Sequence, residues 1–296
     1  MTPSYRKESN PKKFYSFIKS KNQDNIGITS LKYNNLIYTT DEDIAKILNL
    51  QFSSVFSKDD GKIPIIKGTE GPQISELTIT ENGVLKLLQN LDPHKANGPD
   101  EISTRILIEC AEIVTKPLVF IFEASLKQMK IPDDWRQATI TPIYKGGNKS
   151  RVIPENYRPV SLTSVPCKIF EHIIHSHIIN HLEQHNILTN KQHGFRKRRS
   201  CETQLLKTVN DLAKTLNDRG QADAILLDFS KAFDKVCHRK LLQKLKFYGV
   251  RNNILNWIED FLSNRNQKVV IRGVESPLPK VTSGLPKVLS SDPCCF

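Results

Sequence analysis

Apolar residues recur at helical spacing along most of this chain. Ile44, Ile47, Leu48 and Phe52 share one face of a helix that Thr39-Thr40-Asp41 starts and that runs to about Phe56. Val84, Leu87, Leu88 and Leu91 stripe a second helix behind a Thr80 cap. Residues 101–130 read as two helices broken near Pro117, since an internal proline removes an amide donor and clashes with the preceding turn. From Cys167 to His185 a long helix turns Ile169, Phe170, Ile173, Ile174, Ile178 and Leu182 inward. Three more are expected over about Cys201 to Asn217, His238 to Tyr248 and Arg251 to Leu262, with Gly249 dividing the last two. The period changes at Ala138 to Tyr144 and at Gln267 to Arg272, which read as strands. A short apolar run, Ala224 to Leu227, reads as a buried strand that ends in Asp228. Lys58 to Gly71, rich in Gly, Lys and Asp, is expected to be a linker or domain boundary, and His94 to Asp100 carries turn chemistry.

The pattern singles out Asp228. Holding a carboxylate beside apolar surface costs several kcal/mol unless a cation or several donors compensate it, and a divalent metal is a common reason to place one there. The competing reading makes Asp228 the cap of a following helix. Phe233 has a plain alternative as a packed core aromatic. Lys145, before Gly146-Gly147, could bring an ammonium and bare amides to a phosphate, or simply be solvated. Arg158 offers a planar fork suited to phosphate oxygens, or a surface ion pair. Five basic side chains among Lys191 to Arg199, interrupted by Phe195, suit backbone phosphates; a nuclear-import signal or a solvated loop remain open. His177 and His181, four apart, could share a helix face as a metal pair, but no acidic residue completes a recognisable site.

Composition narrows the classes. An apolar share of 38% over 296 residues allows a sizeable core, and 43 basic against 31 acidic residues give +12, a surplus common in nucleic-acid binders. No apolar run approaches the roughly 20 residues of a membrane span, and the first 25 residues lack the apolar segment of a secretory signal. A cytosolic or nuclear location follows. The six cysteines form no CxxC pair or Cys/His cluster, so reduced thiols and no zinc are expected.

Read together, HKANGPDEIS (94–103), WRQATITPIYKG (135–146), NYRPVSL (156–162), CKIFEHII (167–174), QHGFRKRRS (192–200) and LLDFSKAFDKV (226–236) resemble the reverse transcriptases of non-LTR (LINE-type) retrotransposons, over at least residues 80–284. The resemblance implies an α+β fold with the fingers and first part of the palm of a right-hand polymerase, the rest of the palm and the thumb being absent. It implies a helical connector and linker over residues 1–75, the reverse transcriptase domain over 76–284, and RNA-templated DNA synthesis from deoxynucleoside triphosphates on an RNA template and DNA primer. By the same resemblance, Asp228 bridges two magnesium ions and the Phe229 carbonyl helps to bind one. Lys145 and Arg158 meet the triphosphate, Phe233 excludes a ribose 2′-hydroxyl, and Arg196, Lys197, Arg198 and Arg199 contact primer and template.

Two departures follow. No Tyr/Phe-x-Asp-Asp, the family's second carboxylate source, occurs after Asp228. Residues 285–296 replace a family segment of the type PQGSVLGPLLF, and loss of one nucleotide from codons for that segment would give the PKVLSSDPCCF found here. The expectation is therefore a fragment inactive as a polymerase, the alternative being a residual RNA- or DNA-binding protein.

Overall fold

The computed structural model describes residues 27–63 and 65–285. The aromatic and basic N-terminal stretch (1–26) and the tail (286–296) lie outside the described residues.

A hairpin opens the fold, β1 (Leu31–Tyr33) against β2 (Leu36–Tyr38). Its two turn residues, Asn34 and Asn35, both take positive φ, as the twist of a two-residue hairpin loop demands. Helix α1 (Asp41–Ser53) follows, and Thr40 Oγ1 accepts from the Asp43 amide at 3.2 Å. Next come α2 (Glu81–Gln89), capped by Thr80, α3 (Thr104–Glu109) and α4 (Ala111–Gln128). A 3₁₀ turn at Asp133–Arg136 leads into β3 (Gln137–Tyr144), and a second at Pro154–Asn156 into β4 (Tyr157–Leu162). Then come α5 (Val165–Gln184), α6 (Cys201–Asn217), α7 (His238–Phe247), α8 (Asn252–Leu262), β5 (Asn266–Ile271) and β6 (Val274–Glu275).

The sheet is mixed, in the order β4-β3-β5-β6, with β3 antiparallel to β4 and parallel to β5. Two cores form. In one, Ile44, Leu48 and Phe52 of α1 pack on Ile140, Val269 and Ile271 of the sheet. The connector expected over residues 1–75 thus shares a core, over 28–52, with strands from much later in the chain. The other core is helical and centres on aromatic rings. Phe122 stacks on Phe170 with centroids 4.7 Å apart, Trp257 meets Phe170 edge-on at 4.9 Å, and Trp135 meets Phe122 at 6.1 Å. The Trp257 indole N–H donates to Ser125 Oγ at 2.9 Å, so the buried polar atom is satisfied.

Three local expectations need correction. The break in 101–130 falls at Cys110, and Pro117 sits inside α4. The proline removes only the bond that its amide would give to the carbonyl of Ile113, and Ile113 lies on an exposed face open to water. Residues 157–162, not foreseen as a strand, form β4 although it contains Pro159. That proline faces Pro142, and the Lys145 amide bonds the Asn156 carbonyl at 2.8 Å, which makes 142/159 a non-hydrogen-bonded pair in the alternating ladder. Neither proline then withholds a donor from its partner strand. Lastly, the strand expected over Ala224–Leu227 does not form.

Candidate functional site

Asp228 lies in a long excursion. Ser200 starts α6 with a capping box, its hydroxyl taking the Thr203 amide while Thr203 answers the Ser200 amide. Yet α6 buries none of its residues, and Leu205, Leu206, Val209 and Leu216 face solvent. Arg219 at positive φ ends it, and residues 221–229 run on without a ladder partner among the described residues. Leu226 is 96% exposed and Phe229 80%. An apolar run reads as a buried strand only if another strand takes its amides and carbonyls, and none does here. Asp228 is accordingly not pressed against apolar surface. It caps no helix either, because a turn follows and α7 starts only at His238.

Order returns at Phe233. The Leu285 amide donates to the Phe233 carbonyl at 3.0 Å, Ser283 Oγ to the Asp234 carbonyl at 2.8 Å, and the Gly284 amide to the Val236 carbonyl at 2.9 Å. His238 bonds the Gly284 carbonyl through Nε2 at 2.8 Å, and the Ser57 amide donates to Ser283 Oγ at 2.8 Å. This clasp needs a glycine at 284: φ is +88°, and a Cβ would come within 2.8 Å of the Phe233 and Asp234 carbonyl oxygens. The Phe233 ring, half out of the protein, meets Phe195 edge-on at 6.1 Å. The aromatic expected to guard the ribose and the basic loop expected to hold a strand therefore touch.

Within that loop the four basic residues are not equivalent. Arg196, its side chain 6% exposed, grips both carboxylate oxygens of Glu183 and donates to the Thr189 carbonyl at 2.8 Å. Its hydrogen bonds hold the Glu183 carboxyl below the usual carboxylate range. Arg199 bonds Asn190 through its carbonyl at 2.6 Å and its side-chain oxygen at 3.0 Å. Lys197 and Arg198 stay exposed. His177 and His181 are each occupied by a carbonyl, that of Ser75 and that of Tyr248, both at 2.8 Å.

Lys145 and Arg158 come together at one end of the β3–β4 ribbon. Lys145 follows the last residue of β3 and its ammonium donates to the Glu155 carbonyl, while Arg158 pairs with Ile143 across the ladder and is exposed.

A magnesium ion takes about six oxygens in near-octahedral order. The described residues contain no group of three His, Cys, Asp or Glu side chains able to hold a metal. Asp228 with the Phe229 carbonyl does not fit a two-metal centre by itself. The one acidic pair further along, Glu259-Asp260, is structurally committed: Asp260 pairs with Arg136 at 2.7 Å and accepts from the Ile131 amide at 2.8 Å.

The motifs gave no sign of Arg265. It is 2% exposed, stacks on the Phe261 ring at 4.6 Å, and leaves Nη2 without a partner among the described residues. It lines a cavity of about 40 Å³ together with Asp234 and Gly284. Behind it the Cys167 thiol donates to buried Glu171 at 3.3 Å, and burial pushes both of those groups' pKa values up. Arg265 stands in the polar run Asn264-Arg265-Asn266-Gln267, which has no feature to mark burial.

Residues 143–285 match the family described as reverse transcriptase (RNA-dependent DNA polymerase). This stretch holds both halves of the clasp, the basic loop and Asp228. This stretch is similar to reverse transcriptases of the non-LTR type. The chain is 28% identical over 211 residues, 69% of its length, to a probable RNA-directed DNA polymerase from transposon BS of Drosophila melanogaster. It is likewise 28% identical over 214 residues, 72% of its length, to the RNA-directed DNA polymerase from mobile element jockey of the same organism. The alignments cover 22% and 23% of those proteins, so the chain spans less than a quarter of the length of the curated relatives it matches. No helix among the described residues is long and apolar enough to cross a membrane.

Proposed function

We propose that the chain supplies the fingers and the first part of the palm of an RNA-directed DNA polymerase of a non-LTR retrotransposon, and that these 296 residues do not polymerise alone. The observation that carries this is the state of Asp228: it ends an unpaired, solvent-facing segment, and no described carboxylates join it. Two-metal phosphoryl transfer needs carboxylates to hold both cations a few ångströms apart, so further acidic groups must come from outside the described residues. In that assembly Asp228 and the Phe229 carbonyl contribute metal ligands. Lys145 and Arg158 meet the triphosphate from the β3–β4 end, and Phe233, held by the clasp, bounds the sugar. Template and primer lie along Lys197 and Arg198.

The second reading is an RNA- or DNA-binding protein without synthesis, favoured by the exposed charges of Lys197 and Arg198. Primer extension on a primed RNA template with magnesium, run beside a filter-retention assay, separates the two. Retention of the template without incorporation is expected. Incorporation that Asp228→Ala abolishes would overturn the claim of inactivity, and failure to retain template would remove the nucleic-acid reading altogether.

A further inference from the structure

Residues 57–60 and 65–67 together with 235–248 enclose an open groove of about 790 Å³, which takes in the last two residues of the 226–236 motif. Lys58, Lys67, Lys235, Lys240 and Lys244 line it against a single carboxylate, Asp60. That carboxylate is spent, since Lys240 pairs with it at 2.8 Å, and the neighbouring Asp59 is taken by Arg239 at 2.6 Å. The Arg239 hydrogen bonds hold Asp59 below the usual carboxylate range. Among the described residues no carboxylate pairs with Lys58, Lys67, Lys235 or Lys244, and all four are exposed. Gathering like charges around one groove is unfavourable unless a polyanion enters it. The lining is not all charged: Ile65, Ile66 and Leu241 belong to it with Tyr248, whose ring lies 5.8 Å from the Lys244 ammonium. Lysines along a groove with an aromatic in its lining suit a strand whose phosphates face the ammoniums and whose bases stack.

We propose that this groove is a second binding site for a single nucleic-acid strand, separate from the 191–199 loop. The proposal rests on the reading of the chain as one that handles nucleic acid. A phosphodiester backbone suits the site better than a single phosphate because the lysines are spread along two segments, 58–67 and 235–244, and do not converge on one point. Lys235 and Lys244 can be changed without disturbing an ion pair, so variants at these positions should keep the fold.

The test uses the full chain and a poly(U) oligonucleotide. Lysine acetylation read by mass spectrometry should show protection of Lys58, Lys67, Lys235 and Lys244 when the oligonucleotide is bound. Lys235→Ala with Lys244→Ala should lower the slope of log affinity against log salt by about 1.4, at roughly 0.7 per phosphate contact on a single strand. Arginine at both positions should restore it. An unchanged slope in this variant, with a lowered slope in Lys197→Ala/Arg198→Ala, would overturn the groove and leave the nucleic-acid reading standing. No binding by the unaltered chain would overturn both. Equal protection by polyglutamate would overturn the strand in favour of an acidic polypeptide.

Discussion

The amide of Leu285 donates to the carbonyl of Phe233 at 3.0 Å. That bond belongs to a set that fixes residues 233–238 while the neighbouring 221–229 have no ladder partner among the described residues, so order changes abruptly between Asp228 and Phe233. Gly284→Ala places a Cβ within 2.8 Å of two carbonyl oxygens at a φ of +88°. A side chain in that backbone region costs roughly 1–3 kcal/mol. Faster hydrogen exchange at 233–238, with the amides of α1 unchanged, is the expected result; equal protection in both proteins would remove the clasp as a constraint.

Residues 222–229 should exchange at nearly the rate of an unstructured peptide. In a polypeptide extended to include a Tyr/Phe-x-Asp-Asp hairpin, the amides of Ala224–Asp228 should slow by orders of magnitude, because a partner strand then takes them. Asp228→Asn in the extended protein should abolish primer extension and leave template retention within about twofold, since its exposed side chain holds nothing together here.

Arg196 and its neighbours should separate cleanly. Arg196→Ala removes the fork on Glu183 and should lower the melting temperature with little effect on the salt slope of RNA binding. Lys197→Ala with Arg198→Ala should do the reverse, lowering the slope by about 0.7 per contact on a single strand. The experiment pairs thermal unfolding with a salt titration of binding.

Acid should loosen this loop. Glu183 has a folded pKa below its ordinary 4.5, so its contribution is fully present above that ordinary value and is lost as pH falls through the lowered one. Glu183→Gln should flatten the acid limb of an unfolding-against-pH curve. A limb of unchanged steepness would mean that other carboxylates control it.

Exposed Leu205, Leu206, Val209, Leu226 and Phe229 form an aggregation hazard. Replacing Leu206 and Leu226 with glutamate should raise the concentration at which the chain stays monodisperse by light scattering, without shifting its main unfolding transition.

Helices α1, α2 and α5 were legible because Thr40, Thr80 and the apolar spacing agree with one another. The boundary at Cys110 was not, because proline is a local signal and the solvent exposure that tolerates Pro117 is set by tertiary packing. Strand β4 was hidden by Pro159, whose facing partner Pro142 could not be known from a single stretch. Ala224–Leu227 misled for a related reason: its residues state a preference for burial, and a strand exists only where a second one lies alongside. At the candidate site, motif order pointed to Asp228, Phe233 and the basic loop. The contact between Phe195 and Phe233, the commitment of Arg196 to Glu183 and the buried Arg265 all depend on residues distant in sequence.

The chain has two tryptophans, Trp135 and Trp257, and both stand in the same aromatic cluster with Phe122 and Phe170. Intrinsic fluorescence is thereby a one-region thermometer, reporting the helical core and blind to everything from α6 to Asp228. A melt followed at tryptophan wavelengths will show one clean transition whether that excursion is free, bound to RNA or clipped by a protease. A dye attached at Cys201, an exposed cysteine at the start of α6, would give the silent excursion its own signal.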